Sequence, residues 1–570
     1  MMPRQLTILR IVSFWLAAIG IAVALVQPAW SQAELSAPAA NAASEAAETV
    51  NEISPDPAPQ QGFAQLLDAH RDAGFSQKSE TIARIADLNN PRALPVLQAM
   101  ANGTLFAIKD GPIVIAPDGK NGEIELAASG EVLQTAPGDI KKIRVNNRLR
   151  RDLRDLIARI SLASGDTDIR RAAAENAFTG ANPKTLPFVE AAILIEQDSR
   201  TANTLQQAKA AMILATPPED SAAVIAAMAV LKDRGDRPSL DVLLRFGSQD
   251  DPLIEAARLE AITAIERTLS YWQLAQDVYF GISLGSVLLL AAFGLAVTFG
   301  VMGVINMAHG EMIMLGAYTA FVVQQVLMAV APGWIDVSLL LAIPAAFVVS
   351  GSAGMLIERT IIRFLYGRPL ETLLATWGLS LILQQLIRSI FGPTNKSVQA
   401  PSWMSGSFEV GQLTITESRM WIIVFSLIVM GLLLTFIRKT RFGSQMRAVT
   451  QNRQMAESMG VKTSWVDALT FGLGSGVAGI AGVALSQIDN VSPNLGQAYI
   501  IDSFMVVVFG GVGNLWGTFV GAMSLGVGNK LLEPFAGAVA AKILILVFII
   551  LFIQWRPRGL FALKGRFVDS

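Results

Sequence analysis

Residues 294–318 read Gly-Leu-Ala-Val-Thr-Phe-Gly-Val-Met-Gly-Val-Ile-Asn-Met-Ala-His-Gly-Glu-Met-Ile-Met-Leu-Gly-Ala-Tyr. The stretch is strongly apolar, yet Asn306, His309 and Glu311 fall within six residues. Polar and ionisable groups are costly in hydrocarbon and normally face a protein interior or a water-filled path. Glycines and alanines through the same stretch let a second backbone come close. Together these features predict a conduit lined by packed helices rather than a single lipid anchor.

The composition of the 570-residue chain, 52% hydrophobic and 16% charged, averages two unlike parts. Before about Tyr271 the sequence is alanine-rich and charged. After it, apolar runs recur at the length of roughly 20 residues that a bilayer crossing requires. A net charge of −1, with no basic patch interleaved with aromatics, gives no sign of a nucleic-acid partner. The chain has no cysteine, which excludes disulfides and thiol chemistry and leaves the compartment open.

At the N-terminus, Arg4 and Arg10 precede an apolar run over 11–26, followed by Pro28 and small residues. Ser31 and Ala33 stand at the −3 and −1 places of a cleavage site, so 1–33 reads as a signal peptide or a retained anchor. Either way, the following sequence is expected outside the cytoplasm. Residues 34–61, rich in Ala, Pro, Glu and Ser, read as a flexible linker.

Residues 62–270 read as a periplasmic α-helical domain with a degenerate repeat. Asn90-Pro91-Arg92-Ala93-Leu94 returns as Asn182-Pro183-Lys184-Thr185-Leu186, with an echo at Arg237-Pro238-Ser239-Leu240. Proline at a first helical position marks a helix start, and stacked helix pairs of HEAT type are the expectation. Ile113-Val114-Ile115 and Glu123-Ile124-Glu125-Leu126 flank Pro-Asp-Gly, which predicts an inserted β-hairpin. His70 has no second His or Cys beside it and is expected as a solvated helix residue rather than a metal ligand.

From Tyr279 onward, apolar length and charge place about nine spans, near 279–301, 304–330, 338–357, 372–391, 420–437, 465–486, 501–513, 517–531 and 540–555. The seventh and eighth are short and glycine-broken, and so read as full spans, half-helices or a re-entrant pair. Basic residues collect at Arg359, Arg363 and Arg368, between Arg438 and Lys462, and at Arg556, Arg558, Lys564 and Arg566. Positive charge accumulates on the cytoplasmic side, which places the C-terminus there and the first domain outside. Asp489 and Asp502 are expected near the outer mouth, solvated at the interface.

The segment 447–460 reads as a short amphipathic cytoplasmic helix. Met455, Ala456 and Met459 are assigned to one face, Gln451, Arg453 and Glu457 to others, and Gly460 stops it. Such a helix can dock in a partner's groove or lie on the bilayer.

The span–loop–span region around it resembles the membrane subunits of ABC importers. Gln454-Met455-Ala456, then Gly460, stands at the spacing of their Glu-Ala-Ala-x-x-x-Gly coupling loop, with Gln and Met in place of its first two residues. The stretches 298–302, 304–311 and 314–318 resemble the branched-chain amino acid and urea permease family. So do 472–482, 507–513 with Gly517 and Gly521, and Trp555-Arg556-Pro557-Arg558-Gly559-Leu560. The resemblance covers about 275–565, and the long exported first part with Met307 is most similar to the urea type.

The resemblance implies an all-α polytopic permease domain at 275–565 in a bacterial inner membrane, moving urea or a short amide. A branched-chain amino acid permease is the alternative, and a stand-alone channel or secondary carrier a further one. It also implies a second related permease, two ABC ATPase subunits, a periplasmic solute-binding protein and contact with membrane lipid. The coupling residues would be Gln454, Met455, Ala456, Glu457, Met459 and Gly460. Asn306, His309 and Glu311 would line the path of a small neutral or zwitterionic solute, or else satisfy backbone groups where Gly303 and Gly310 break the helix.

Gly472/Gly476, Gly517/Gly521 and Gly281/Gly285 are small-x-x-x-small pairs, suited to close helix crossings within this subunit or to a pore rim or permease–permease interface. No phosphate-binding Gly-x-x-x-x-Gly-Lys-Ser/Thr loop is present, so ATP hydrolysis would come from partners. No cofactor, metal site or enzymatic activity is expected.

Overall fold

The computed structural model describes residues 58–561 except 89, 109–110, 118–123 and 134–139. The expected signal peptide, and the linker up to residue 57, lie outside the described residues. The last four linker residues are instead helical, because the first helix begins at Ala58. The chain divides into two compact units, 1–270 and 271–570.

The first unit is a succession of helices of 10 to 17 residues with one small sheet. Asn146, Asp166, Asp198, Asp220 and Asp236 each accept a backbone N–H in the first turn of the helix that follows. This satisfies donors that a helix N-terminus otherwise leaves orphaned. Each repeated proline phrase starts a helix, at Ala93–Asn102, at Pro183–Thr185 leading into Leu186–Ile195, and at Arg237–Phe246.

Strand β1 is Leu105–Ile108, β2 Ile113–Ile115, β3 Glu125–Leu126 and β4 Ile140–Lys142. The expected hairpin pairs β2 with β3, Val114 opposite Leu126. Strands β1 and β4, too short to carry a periodic signal, complete an antiparallel sheet of order β3-β2-β1-β4. Two aliphatic clusters hold the unit, one around Phe63, Leu97 and Leu153, the other around Phe178, Leu205, Leu231 and Ile265. His70 is fully buried beside the first cluster, correcting the solvated placement; the Ala58–Asp72 helix turns it in with Phe63 and Leu67, at spacings of seven and three.

The second unit is built on long apolar helices. Among the described residues seven are long and apolar enough to cross a membrane: Pro252–Met302, His309–Val330, Pro332–Thr360, Pro369–Phe391, Glu417–Lys439, Thr463–Leu485 and Ala538–Trp555. Seven of the expected nine are therefore matched. The seventh and eighth segments become Leu495–Gly510 and Leu515–Ala536. The former rises about 24 Å, short of the roughly 30 Å of hydrocarbon. The latter carries Asn529, Lys530 and Glu533 in its C-terminal half.

A long helix begins at Pro252. With no Gly or Pro between Arg267 and Phe280, it continues into the first span as one helix of 51 residues.

The Thr463–Leu485 helix is the centre of this unit and is buried along nearly its whole length. Its glycines replace side-chain packing with backbone packing. A methyl group on Gly472 or Gly476 would strike Met355 or Phe347 of the Ser338–Thr360 helix. On Gly474 it would strike Thr298 and the Gly294 carbonyl, and on Gly482 the Ile313 carbonyl. Gly510 and Gly517 oppose each other where the two shorter helices meet, and Gly521 faces the Val506 carbonyl. Gly281 and Gly285 face Val527, Gly526 and Ala522.

A hairpin of β5 (Ser407–Val410) and β6 (Leu413–Thr416) precedes the Glu417–Lys439 helix. Gln276 and Tyr279 hold it through the Thr414 and Thr416 carbonyls, at 3.1 and 2.9 Å.

Candidate functional site

The stretch quoted first is where the backbone breaks. The 51-residue helix ends at Met302, Gly303 turns with φ +66°, and a new helix starts at His309. A left-handed residue is least costly as glycine, so the sequence fixes the break there. Asn306 closes it, its Oδ1 accepting the Ala308 N–H at 3.0 Å.

Asn306, His309 and Glu311 are all buried, but they do not converge. His309 turns toward the Pro252–Met302 helix, where its Nε2 lies 3.1 Å from the Ala291 carbonyl and donates to it. It lies beside Gly294, whose missing side chain makes room for the ring. Glu311 turns the other way, its Oε1 accepting from Ser380 Oγ and Gln384 Nε2, each at 2.8 Å. The Met307 N–H donates to Thr376 Oγ1 at 3.1 Å. The break region therefore bonds to two helices on different sides, with His309 apart from the other two residues.

The partner that sequence reasoning missed is the Pro369–Phe391 helix. Thr372, Thr376, Ser380 and Gln384 recur every fourth residue and are all buried. Leu370, Leu374, Trp377 and Ile382 are exposed. The spacing of four was present in the sequence, yet hydroxyls and amides inside an apolar run register only as a slight fall in hydropathy. Three polar atoms here have no hydrogen-bond partner: Asn306 Nδ2, His309 Nδ1 and Glu311 Oε2.

The second candidate region, 441–460, is two helices rather than one. Asn452 leaves helical geometry between Arg441–Gln451 and Arg453–Ser458 and caps the latter, its Oδ1 accepting from the Met455 N–H at 2.9 Å. Met455 and Met459 are 63% and 79% exposed, whereas Ala456 is buried, so Ala456 does not share their face. The reason is helical geometry: Ala456 lies 100° around the axis from Met455. Gln454 and Glu457 are exposed, and Gly460 turns the chain at φ +83°.

The inner side of this segment is tied down. Arg453 pairs with Asp467 of the Thr463–Leu485 helix and lies 5.2 Å over the Tyr366 ring. The Tyr366 hydroxyl donates to Glu358 of the Ser338–Thr360 helix at 3.0 Å. Burial first, then Asp467 and Glu358 nearby, raise the Tyr366 pKa and keep it a donor. Thr463 Oγ1 donates to Glu457 at 2.5 Å. The 453–460 segment is thus tied by polar contacts to the Ser338–Thr360 and Thr463–Leu485 helices.

Asp502 is buried and ion-paired with Lys542 at 3.2 Å, correcting the interface-solvated expectation; Asp489 is exposed. The Ala538–Trp555 helix packs against Leu495–Gly510 and brings the lysine to it. Among the described residues no group of acidic, His or Cys side chains is arranged to hold a metal.

Comparison with known proteins falls on the second unit. The family profile described as "Branched-chain amino acid transport system / permease component" matches residues 278–553. The high-affinity branched-chain amino acid transport system permease protein LivH of Escherichia coli is 31% identical over 296 residues, covering 50% of this chain and 94% of that protein. The corresponding permease protein BraD of Pseudomonas aeruginosa is 30% identical over 292 residues, with the same shares. A probable LivH of Methanocaldococcus jannaschii is 25% identical over 297 residues, covering 48% of this chain and 88% of that one. No solved structure matches.

Proposed function

This chain belongs to the branched-chain amino acid transport permease family, and we propose that it is the membrane-spanning subunit of an ABC importer for urea or a short amide. As a permease it is a transport subunit and not an enzyme, a multi-pass protein of the inner membrane that works with ATPase and solute-binding partners. A second related permease and a pair of ATPases are the proposed complement. The first unit is proposed to be periplasmic and HEAT-like, and the C-terminus cytoplasmic; the Arg and Lys distribution supports that orientation.

The observation that carries the coupling role is the 453–460 segment. Its methionines point out where a partner groove can take them, while Arg453 on its inner side is tied to Asp467 and Tyr366. ATP-driven movement of a docked subunit would be passed through this pin to the Ser338–Thr360 and Thr463–Leu485 helices. Replacing Met455 and Met459 by Glu puts carboxylates into an apolar contact. In the complete assembly, uptake is expected to fall at least about tenfold, the worth of roughly 1.4 kcal/mol, with the protein still in the membrane. Undiminished uptake would contradict the docking role.

For the cargo, support comes from the polar break region, which offers hydrogen-bonding groups around Asn306 and Glu311. The first unit, outside the 278–553 match, supports a specialisation distinct from the relatives. A second reading, a branched-chain amino acid as cargo, is favoured by the names of those relatives. Uptake of labelled urea, challenged with excess leucine, separates them: urea uptake untouched by leucine supports the first, leucine uptake untouched by urea the second.

A further inference from the structure

The Pro369–Phe391 helix carries more polar groups on its inner side than helix association needs. Thr372 to Gln384 is twelve helical steps, about 18 Å along the axis and more than half the hydrocarbon thickness. Ser380 and Gln384 bond across to Glu311, while the Thr372 and Thr376 hydroxyls donate to carbonyls of their own segment. Here there are four in register, beside a segment where the backbone is already broken.

The pairing beside them is also incomplete. Glu311, 1% exposed, receives two donors on one carboxylate oxygen and none on the other. Asn306, whose neighbour Met307 bonds to Thr376, has an amide nitrogen with no acceptor. Buried capacity of this kind is costly unless water or a ligand meets it. An open acceptor on Glu311, which Ser380 and Gln384 hold, and an open donor on Asn306, next in sequence to the residue bonded to Thr376, suit a molecule that carries N–H and C=O together. Arg388, at the far end beyond Gln384, is the one cation on this helix and is engaged with Asn494 at 3.0 Å. No cation stands within the row to receive a solute carboxylate.

We propose that Thr372, Thr376, Ser380 and Gln384 line the solute path and select uncharged amide-like solutes, with Glu311 Oε2 accepting a solute N–H and Asn306 Nδ2 donating to its carbonyl. The row is packed shut here and opens to water during the transport cycle. This rests on the transport reading above and extends it to named selecting residues.

The chain's lack of cysteine permits a direct test. Thr376→Cys and Ser380→Cys are compared with Leu374→Cys and Leu381→Cys, on the opposite face, in the complete assembly. A charged, water-soluble methanethiosulfonate reagent is applied with and without ATP turnover. The two row positions are expected to react at least about tenfold faster than the leucine positions during turnover, because thiolate chemistry requires water, and urea is expected to slow them. Equal, slow labelling at all four positions while ATP is hydrolysed and uptake proceeds would overturn the proposal.

Ser380→Ala supplies an independent readout, since Gln384 remains as a donor to Glu311. The uptake ratio of urea to N-methylurea is expected to shift severalfold, and an unchanged ratio would count against selection by this row. If the unmodified assembly hydrolyses ATP without taking up urea, the cargo assignment falls, while the ATP-dependent labelling pattern still decides whether the row is wetted.

Discussion

The two units of this chain solve the same problem in opposite ways. In the first, helix ends are closed by Asn and Asp side chains, and charge sits at the rim of an aliphatic core. Arg170 pairs with Glu196 at 2.8 Å, and Arg234 bonds Glu175, Asp236 and Gln207 while lying 3.9 Å over the Phe178 ring. In the second, the helices at His309, Ser338, Pro369, Glu417, Thr463 and Ala538 begin without a side-chain cap bond. Polar side chains turn inward, and glycines bring backbone against backbone. Apolar contact drives folding only where water is the alternative. Where lipid is the alternative, close backbone approach and internal hydrogen bonds have to do that work.

The sharpest way to break this contrast is to give the second unit a side chain where it uses none. Gly482→Val would drive a side chain into the Ile313 carbonyl. The expected cost is at least about 3 kcal/mol, read as loss of monodisperse protein from the membrane. Gly378→Ala, where a methyl group meets nothing within 4 Å, is expected to accumulate normally. Equal yields would remove the packing argument.

In the first unit the matching lesion is Arg234→Ala, which strands Asp236 and Glu175 and uncovers Phe178. A loss of about 3 kcal/mol is expected. Hydrogen exchange should rise over 167–246 and stay unchanged over 463–485. Faster exchange at 463–485 would mean that the two units do not hold themselves separately.

A smaller effect sharpens the comparison through pH. Burial first, then Lys78, lowers the His70 pKa to about 4. Its folded value lies below its unfolded value near 6.5. The neutral ring therefore favours the fold above that pH, and the advantage is lost as pH falls toward 4. Between pH 7 and 5 the first unit is expected to lose about 2 kcal/mol, and His70→Leu to flatten that slope. An unchanged slope would contradict the buried placement.

The smallest effect lies at Glu196. Its hydrogen bond from Arg170, opposed by burial, holds its carboxyl below the usual range. The stabilisation is present above the ordinary carboxylate pKa and disappears as pH falls below it. Arg170→Gln is therefore expected to lower the melting temperature slightly at neutral pH and to have no effect in acid. A deficit of the same size at both pH values would contradict the pairing.

The sequence made the second unit readable because long apolar runs, breaks at glycine and positive loop charge are strong, local signals. Six of the expected spans and the last one stand close to where hydropathy placed them. The two glycine-broken segments are helical near their expected places but do not count among the seven, because Leu495–Gly510 is short and Leu515–Ala536 carries Asn529, Lys530 and Glu533. In the first unit, proline starts and the Pro-Asp-Gly hairpin were legible, while β1 and β4 were too short to show.

At the candidate site the polar residues themselves were visible, but their direction was not. His309 and Glu311 lie two residues apart on one helix and face different neighbours. The row from Thr372 to Gln384 escaped because hydroxyls in an apolar helix are weak signals alone and become informative only opposite Glu311. Met455 and Ala456 were grouped by an amphipathic pattern that the Asn452 break and the helical angle separate.

The central claim is that this subunit is a gate moved by a motor it does not contain. The chain is reconstituted alone in urea-loaded liposomes, and again with its second permease, ATPases and binding protein. The account predicts no specific urea flux from the chain alone, with or without ATP, and ATP-dependent uptake only from the full set. Saturable urea movement through the solitary subunit would contradict it.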